Sequence, residues 1–359
     1  MKHYLLYGHG GAYNHGSEAS VKCTVALLRR VSPGCRITLS SHFPAQDFAL
    51  GIDADEIVGR DLNGTTNEEV YAETIRRITP GTVCLSVGGD NYCYPNWQRY
   101  AAIHYAALER GAKSVLWSCS VEPSMPDDEM LAAFRSHHLI MAREGASFAA
   151  LRSRGLGNVV RVSDVAFLLA PQETETPPGP YVAINLSPLV LRRYPGALDA
   201  YQRLVDELIE KTPLNVALVP HVEAAADNDC EALARLAGPK ERMFRVPAGL
   251  TAAEYKYIIG SAEACVAART HAAIAAWSSG VPALVLAYSA KARGGAADAG
   301  QEAWALDAGT LDGETLRGAF WRLCAERARV RAALAERIPG CKERAAAAAE
   351  QVAQILVKR

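Results

Sequence analysis

The sequence predicts an α/β protein of two doubly wound, Rossmann-like domains facing a cleft. Three observations carry that prediction. Short apolar runs alternate with helix-forming stretches through both halves of the chain, and several of the runs end in glycine, arginine or histidine. A polar, proline-rich stretch, Pro171-Gln-Glu-Thr-Glu-Thr-Pro-Pro-Gly-Pro180, has no hydrophobic periodicity and separates the halves. With 359 residues, the chain exceeds what one hydrophobic core usually fills. The expected division is an N-terminal α/β domain over 1–172, a C-terminal α/β domain over 178–338, and a C-terminal helix over 339–359 packing back on the first domain.

The first domain opens with an apolar strand at 3–7, a glycine-rich turn from Gly8 through Gly16, and a helix reaching about Arg30. The glycines fit neither the dinucleotide fingerprint nor the Walker pattern, so the turn alone is a weak signal. A second such unit runs from the strand Thr82–Val87 through Gly88-Gly89-Asp90 to a helix from about Asn96 to Arg110. Paired glycines at a strand end let backbone approach a ligand, and Asp90 either binds a sugar hydroxyl or caps the turn. Strands follow at Ser114–Ser120 and His138–Ala142, the second topped by Arg143 and a helix to about Arg154, with a further strand at Asn158–Val162.

The second domain restarts with the strand Tyr181–Leu186, an amphipathic helix from about Leu198 to Lys211, and the strand Asn215–Val219, which ends in Pro220-His221. A helical region at Asp227–Leu236, a short strand near Met243–Val246 and a capped helix at Thr251–Ser261 lead to the central stretch. There the strand Ala264–Ala268 meets Arg269-Thr270-His271, a small-residue helix reaches Gly280, and a second strand runs from Val281 to Tyr288. Arg293-Gly294-Gly295 reads as a flexible loop, and an alanine-rich helix from about Glu343 closes the chain.

Composition narrows the function. Thirty-eight Lys and Arg balance 39 Asp and Glu, for a net charge of −1, which argues against a nucleic-acid surface spread over the whole protein. Nine scattered cysteines without a Cys-x-x-Cys pair fit reduced thiols better than a disulfide framework. No Cys/His framework or His-Glu-x-x-His pattern calls for a metal, and no Gly-x-Ser-x-Gly elbow points to a serine hydrolase. The amino terminus is broken by Gly8 and His9 before a signal-peptide core forms, and no run approaches a membrane span, so the expected location is cytoplasmic.

Polar loops at the carboxyl ends of the strands would carry Asn14, Glu18, Asp90, Arg143, His221, Arg269, His271 and Lys291 into the cleft. Many cations and few paired carboxylates favour an anionic substrate over metal-assisted hydrolysis. Arg269 offers a planar fork for carboxylate or phosphate, Thr270 can cap the helix, and His271 lies in its first turn, where free N–H groups favour an anion. His271 can also move a proton near neutral pH. His221 either positions a ligand or is a structural histidine at a strand end.

Together these residues resemble the polysaccharide pyruvyl transferases. The resemblance is carried by Asn14-His-Gly-Ser-Glu18-Ala, Val87-Gly-Gly-Asp90, Arg143-Glu144 with Ser147, Val162-Ser-Asp164, Val219-Pro-His221 with Asp229, and Arg269-Thr-His271 through Gly280-Val-Pro282 to Tyr288 and Lys291. The chain departs at Ser17, where many members have Asp. The resemblance implies a GT-B-like fold and transfer of pyruvate from phosphoenolpyruvate, as co-substrate and without a further cofactor, to two hydroxyls of a sugar or lipid-linked saccharide. It implies donor binding by Arg143, Arg269, His271 and Lys291, with His271 as catalytic acid beside the catalytic Arg143 and Arg269. Acceptor binding would fall to Asn14, Glu18, Asp90 and His221, with the first domain on the acceptor side. The rival readings are a GT-B glycosyltransferase using a nucleotide sugar and a catalytically silent carbohydrate-binding member of the fold.

Overall fold

A computed structural model describes residues 1–355, so the last four residues of the expected terminal helix lie outside the described residues. Two compact units divide the chain, and each is built on its own parallel sheet. The first unit gathers Met1–Ala12, Ser17–Leu168 and the described residues from Cys341 onward; the second gathers Tyr13–Gly16 and Leu169–Gly340.

In the first unit the strands are β1 (His3–His9), β2 (Arg36–Ser41), β3 (Glu56–Val58), β4 (Thr82–Ser86), β5 (Lys113–Cys119), β6 (Leu139–Ala142) and β7 (Val159–Arg161). They pair in the order β3-β2-β1-β4-β5-β6-β7, all in parallel. Tyr4, Leu5, Leu6 and Tyr7 of β1 are all fully buried, the unbroken apolar run expected of a strand covered on both faces. On one side Leu5, Tyr7 and Cys84 pack against Tyr71, Tyr100, Ile103 and Ala107. A second core joins Tyr92, Trp97, Met130, Phe134 and Ile140.

The stretch 31–81, to which the sequence reading assigned no element, supplies β2, β3 and the short helices Pro44–Ala49, Asn67–Val70 and Ala72–Arg76. Its signal is masked because β2 hides hydroxyls between and beyond its two apolar residues, Ile37 and Leu39. Thr38, Ser40 and Ser41 are buried, with Thr38 Oγ1 3.0 Å from His3 Nε2 and Ser40 Oγ 2.6 Å from Thr74 Oγ1.

The second unit holds β8 (Tyr181–Asn185), β9 (Asn215–Leu218), the two-residue strands β10 (Glu223–Ala224) and β11 (Asp227–Asn228), then β12 (Met243–Arg245), β13 (Ala264–Ala267), β14 (Ala283–Ala287) and β15 (Ala305–Asp307). The main sheet runs β12-β9-β8-β13-β14-β15, and β10 and β11 form a separate antiparallel hairpin. Both sheets thus reverse direction beside their first strand, between β1 and β4 and between β8 and β13. Crevices outside the carboxyl ends of such strands are where doubly wound folds bind ligands. The helix Thr270–Ser278 packs on β13 and β14, and seven consecutive residues, Ala272–Ser278, are buried, which explains its small side chains.

Three expectations are corrected. Arg293-Gly294-Gly295 is no loop but part of the helix Ala290–Asp298, held by full burial of Ala292 and Ala296 despite the poor propensity of the glycine pair. Helix in the 227–236 region begins at Asp229, because Asp227 and Asn228 pair with Ala224 and Glu223 and the Asn228 side chain caps Cys230 N at 2.9 Å. The terminal helix starts at Arg327 and carries Pro339 inside it; Val330, Leu334, Ile338, Cys341, Ala345, Ala349 and Val352 are buried at helical spacing through that proline. No helix among the described residues is long and apolar enough to cross a membrane.

Candidate active site

At the reversal point of the second unit, two polar residues end the two central strands. Asn185 closes β8 and is fully committed: its Nδ2 donates to Val219 O at 3.1 Å and to Asp229 Oδ2 at 3.0 Å, while its Oδ1 accepts from Arg269 N at 2.9 Å. Arg269 follows β13 and caps the helix Thr270–Ser278 with extended backbone. Its Nε and Nη2 donate to Asp229 Oδ1 at 3.1 and 2.7 Å, and Nη2 also reaches Asp227 Oδ2 at 2.8 Å.

Asp229 is completely buried, and its other oxygen accepts from the backbone N–H groups of His221 and Val222 at 3.0 and 3.1 Å. Burial pushes its carboxyl above the usual range, against the pull of Arg269. For Arg269 burial opposes the charge, yet Asp229 more than restores it, and the pKa is raised. The guanidinium is therefore fixed and charged, with Nη1 making no hydrogen bond to the protein among the described residues.

His271 stands in the first turn of the same helix, where backbone N–H groups lack intrahelical acceptors. Its imidazole lies against Gly16: a Cβ there would sit 2.2 Å from Nδ1 and 2.4 Å from Cγ. The segment Tyr13–Gly16 is held in the second unit by its own backbone. Glu223 N donates to Tyr13 O at 2.7 Å, Asn14 bridges Val222 in antiparallel fashion, and His15 N donates to His221 O at 3.1 Å. Asn14 Oδ1 also accepts from Gly16 N at 3.2 Å, which closes the turn that delivers Gly16 to the imidazole.

Beneath this turn is a buried polar chain. His15 Nε2 lies 3.1 Å from Glu223 Oε1, the Tyr255 hydroxyl donates to the same oxygen, and Gly249 N donates to Oε2 at 2.8 Å. Burial works against the Glu223 charge, but the bonds from His15 and Tyr255 prevail and its pKa is lowered. His221 is buried with its ring edge-on to His15 at 6.2 Å. Burial first, then the neighbouring His15, His271 and Arg269, hold it well below the usual histidine range, so it is neutral at pH 7. Lys291 lies in the first turn of the helix Ala290–Asp298, just beyond β14.

Of the residues singled out from sequence, the second unit thus holds Asn14, His221, Arg269, His271 and Lys291, and the first holds Glu18, Asp90 and Arg143. Arg143 follows β6 and is 8% exposed, with Nε donating to Ser120 Oγ and Nη1 to Asp164 Oδ2, each at 2.8 Å. Burial opposes its charge, but Asp164 and then Asp90 raise its pKa. Gly89 is required beside it, since a Cβ would meet Nη1 at 2.4 Å. Ser118 has φ +47 at the irregularity in β5, and its carbonyl oxygen lies 3.1 Å from that same Cβ position. Asp90 accepts from the Tyr94 hydroxyl at 3.2 Å, and Glu18 is buried with an oxygen 2.6 Å from Lys22 Nζ.

Sequence reasoning did not single out Asn185, His15, Asp227 or Tyr255. Asn185 left a readable signal, a polar residue ending an otherwise apolar strand at the reversal point; the others depend on the small hairpin whose second strand the sequence reads as the start of a helix.

The family model for polysaccharide pyruvyl transferase matches residues 14–290. A search of curated proteins returns no match. Among solved structures, a UDP-N-acetylglucosamine 2-epimerase is similar with a TM-score of 0.67 at 13% identity, covering 100% of this chain and 97% of that one. The UDP-GlcNAc 2-epimerase from Neisseria meningitidis bound to UDP-GlcNAc gives 0.62 at 12%, covering 100% of both chains. A ugt transferase from Siraitia grosvenorii in complex with UDP gives 0.60 at 11%, covering 99% and 100%. At these identities the likeness speaks for the fold, which is GT-B-like.

Proposed function

Because the chain belongs to the polysaccharide pyruvyl transferase family, we propose that it moves pyruvate from phosphoenolpyruvate onto two hydroxyls of a sugar, in a polysaccharide or its precursor, forming a cyclic ketal. The observation that carries this reading is the Arg269–Asp229 lock with His271 in the adjoining helical turn, its ring set against Gly16. A fixed guanidinium, Lys291 and the positive N-terminal end of the helix suit the carboxylate and phosphate of the donor.

His271 delivers a proton to the methylene carbon, which becomes the methyl group. The carbon bearing phosphate turns cationic, and a sugar hydroxyl adds to it with loss of its proton. Phosphate then leaves, and a second hydroxyl closes the ring as its proton departs. Asn14 and His221 take the acceptor-side roles in the second unit, His221 as a neutral hydrogen-bonding group. The roles expected for first-unit residues, donor contact for Arg143 and acceptor contact for Glu18 and Asp90, belong to the same proposal and are tested by single substitutions in the same assays.

The test is thermal stabilisation by phosphoenolpyruvate beside pyruvate, phosphate and UDP- or GDP-sugars, because a ligand that binds the native state raises its stability with ln(1 + [L]/Kd). We expect a shift with phosphoenolpyruvate that is weakened in Arg269→Lys. In His271→Ala we expect binding to persist while turnover falls about 10²–10⁴-fold. A shift with nucleotide sugars alone would hand the site to glycosyl transfer, and full turnover in His271→Ala would remove His271 from the chemistry.

A further inference from the structure

The first unit carries a second cationic cluster, built from residues other than Arg143. His9 ends β1, His42 follows β2, Arg60 follows β3, and Arg99 opens the helix Gln98–Glu109 that succeeds β4. These four strands are neighbours in the sheet, so the four side chains arise along one carboxyl edge. Aromatic rings rack them in place. Arg60 Cζ lies 5.9 Å from the Phe43 ring centroid and Arg99 Cζ 4.5 Å from that of Tyr100. His42 stacks at 6.3 Å on both Tyr71 and Tyr100, and its Nε2 is 3.0 Å from the Tyr71 hydroxyl.

The acids of this edge do not answer the guanidiniums. Asp47 is buried and held by His9 Nε2 at 2.8 Å, and Asp90 accepts from Tyr94. Among the described residues neither Arg60 nor Arg99 forms an ion pair, and the Nε of each is buried without a hydrogen-bond partner. Both arginines are held by rings at one imidazole, since Phe43 is the residue after His42 and Tyr100 stacks on it; burial, then Arg60 and Arg99, depress His42 to about 3, which leaves it neutral. Two half-buried arginines without carboxylates cost stability, a cost that an anionic ligand would offset.

We propose that Arg60 and Arg99 bind a phosphate or diphosphate group at the carboxyl edge of β1–β4. As the phosphate of a phosphorylated or diphosphate-linked acceptor saccharide, this assignment rests on the pyruvyl-transfer reading; anion binding itself does not. Three exposed apolar side chains, Phe43, Phe48 and Leu62, lie on the segments that also carry His42 and Arg60.

The experiment is calorimetric titration of the intact chain with inorganic pyrophosphate at constant ionic strength, in wild type, Arg60→Gln, Arg99→Gln and Arg269→Lys. Pyrophosphate should bind about 10–100-fold more weakly to the first two variants, with phosphoenolpyruvate affinity unchanged in them and pyrophosphate affinity at this edge retained in Arg269→Lys. Should Arg99→Gln misfold, Arg60→Gln at the half-exposed loop position carries the test, with Arg60→Lys giving partial recovery. Pyrophosphate affinity that is the same in wild type and Arg60→Gln overturns the site. Flotation with phosphatidylcholine vesicles, with and without phosphatidic acid, separates the sources: Arg60-dependent capture by the acidic vesicles assigns a lipid phosphate, and pyrophosphate binding without capture assigns a soluble one.

Discussion

A methyl group added at Gly16 would lie 2.2 Å from His271 Nδ1, a separation that real Cβ contacts do not reach. Gly16 needs no left-handed backbone, so its requirement is for space, and what it leaves room for is the imidazole. Gly16→Ala should therefore displace His271 while the turn, tied through Tyr13, Asn14 and His15 to the strand-end backbone of 221–223, persists. On the reading given above, kcat falls about 100-fold, the cost of a displacement near 1 Å at a reacting group. Phosphoenolpyruvate affinity, set mainly by Arg269 and its lock on Asp229, changes little. Measuring kcat and donor affinity together decides it: loss of affinity with kcat intact would mean that the imidazole tolerates the methyl group and that Gly16 serves the donor pocket.

At the scale of elements, the helix Ala252–Gly260 is the plainest case of local sequence setting local structure. Thr251 accepts from Glu254 N at 3.3 Å and Glu254 Oε2 accepts from Thr251 N at 2.8 Å, a reciprocal capping box. Thr251→Ala should lower stability by about 1 kcal/mol, read as a lower urea midpoint at unchanged m-value, with donor binding unaltered. An unchanged midpoint would show that burial of Tyr255, Ile258 and Ile259 alone sets this helix. Elements of this kind were legible: strands such as β1, β8 and β13 have apolar, buried interiors because helices cover both faces of their sheets. So was the Arg269-Thr270-His271 turn, because a strand end and a helix start are both local signals. What could not be read was non-local. β2 buries hydroxyls that find partners on other strands and helices, β10 and β11 exist only by pairing with each other, and the charge of Arg269 is fixed by Asp227 and Asp229, some forty residues upstream. Arg60 and Arg99 were missed for the same reason, since only the strand order brings β3 and β4 to one edge.

Across the whole molecule, acid should be the weak side of stability, and the reason is histidine. His104 and His137 stack at 3.7 Å, and both turn a ring nitrogen to Ser114 Oγ, at 2.8 and 3.1 Å. Burial and then His138 depress His104 to about 4, while burial, then His104 and His138, hold His137 well below the usual range. His42 and His221 are lowered as well, first by burial. The adjacent pair His137-His138 is therefore a packing device: His138 Nδ1 accepts from Ser114 N at 3.2 Å while His137 takes the hydroxyl of the same residue. For a group whose folded pKa is depressed, the unfolded chain binds more protons between the two pKa values. Stability then rises with pH across that window and is lost as pH falls from about 6.5 toward 4. Each such histidine adds at most about 1.4 kcal/mol per pH unit to the slope. Urea unfolding at several pH values over this range should give a steep slope in wild type and, in His137→Asn, one shallower by up to one proton. A slope unchanged by that substitution would mean that His137 titrates alike in the folded and unfolded chain, and the acid sensitivity would then have to come from the other depressed histidines, His3, His42, His104, His138 and His221.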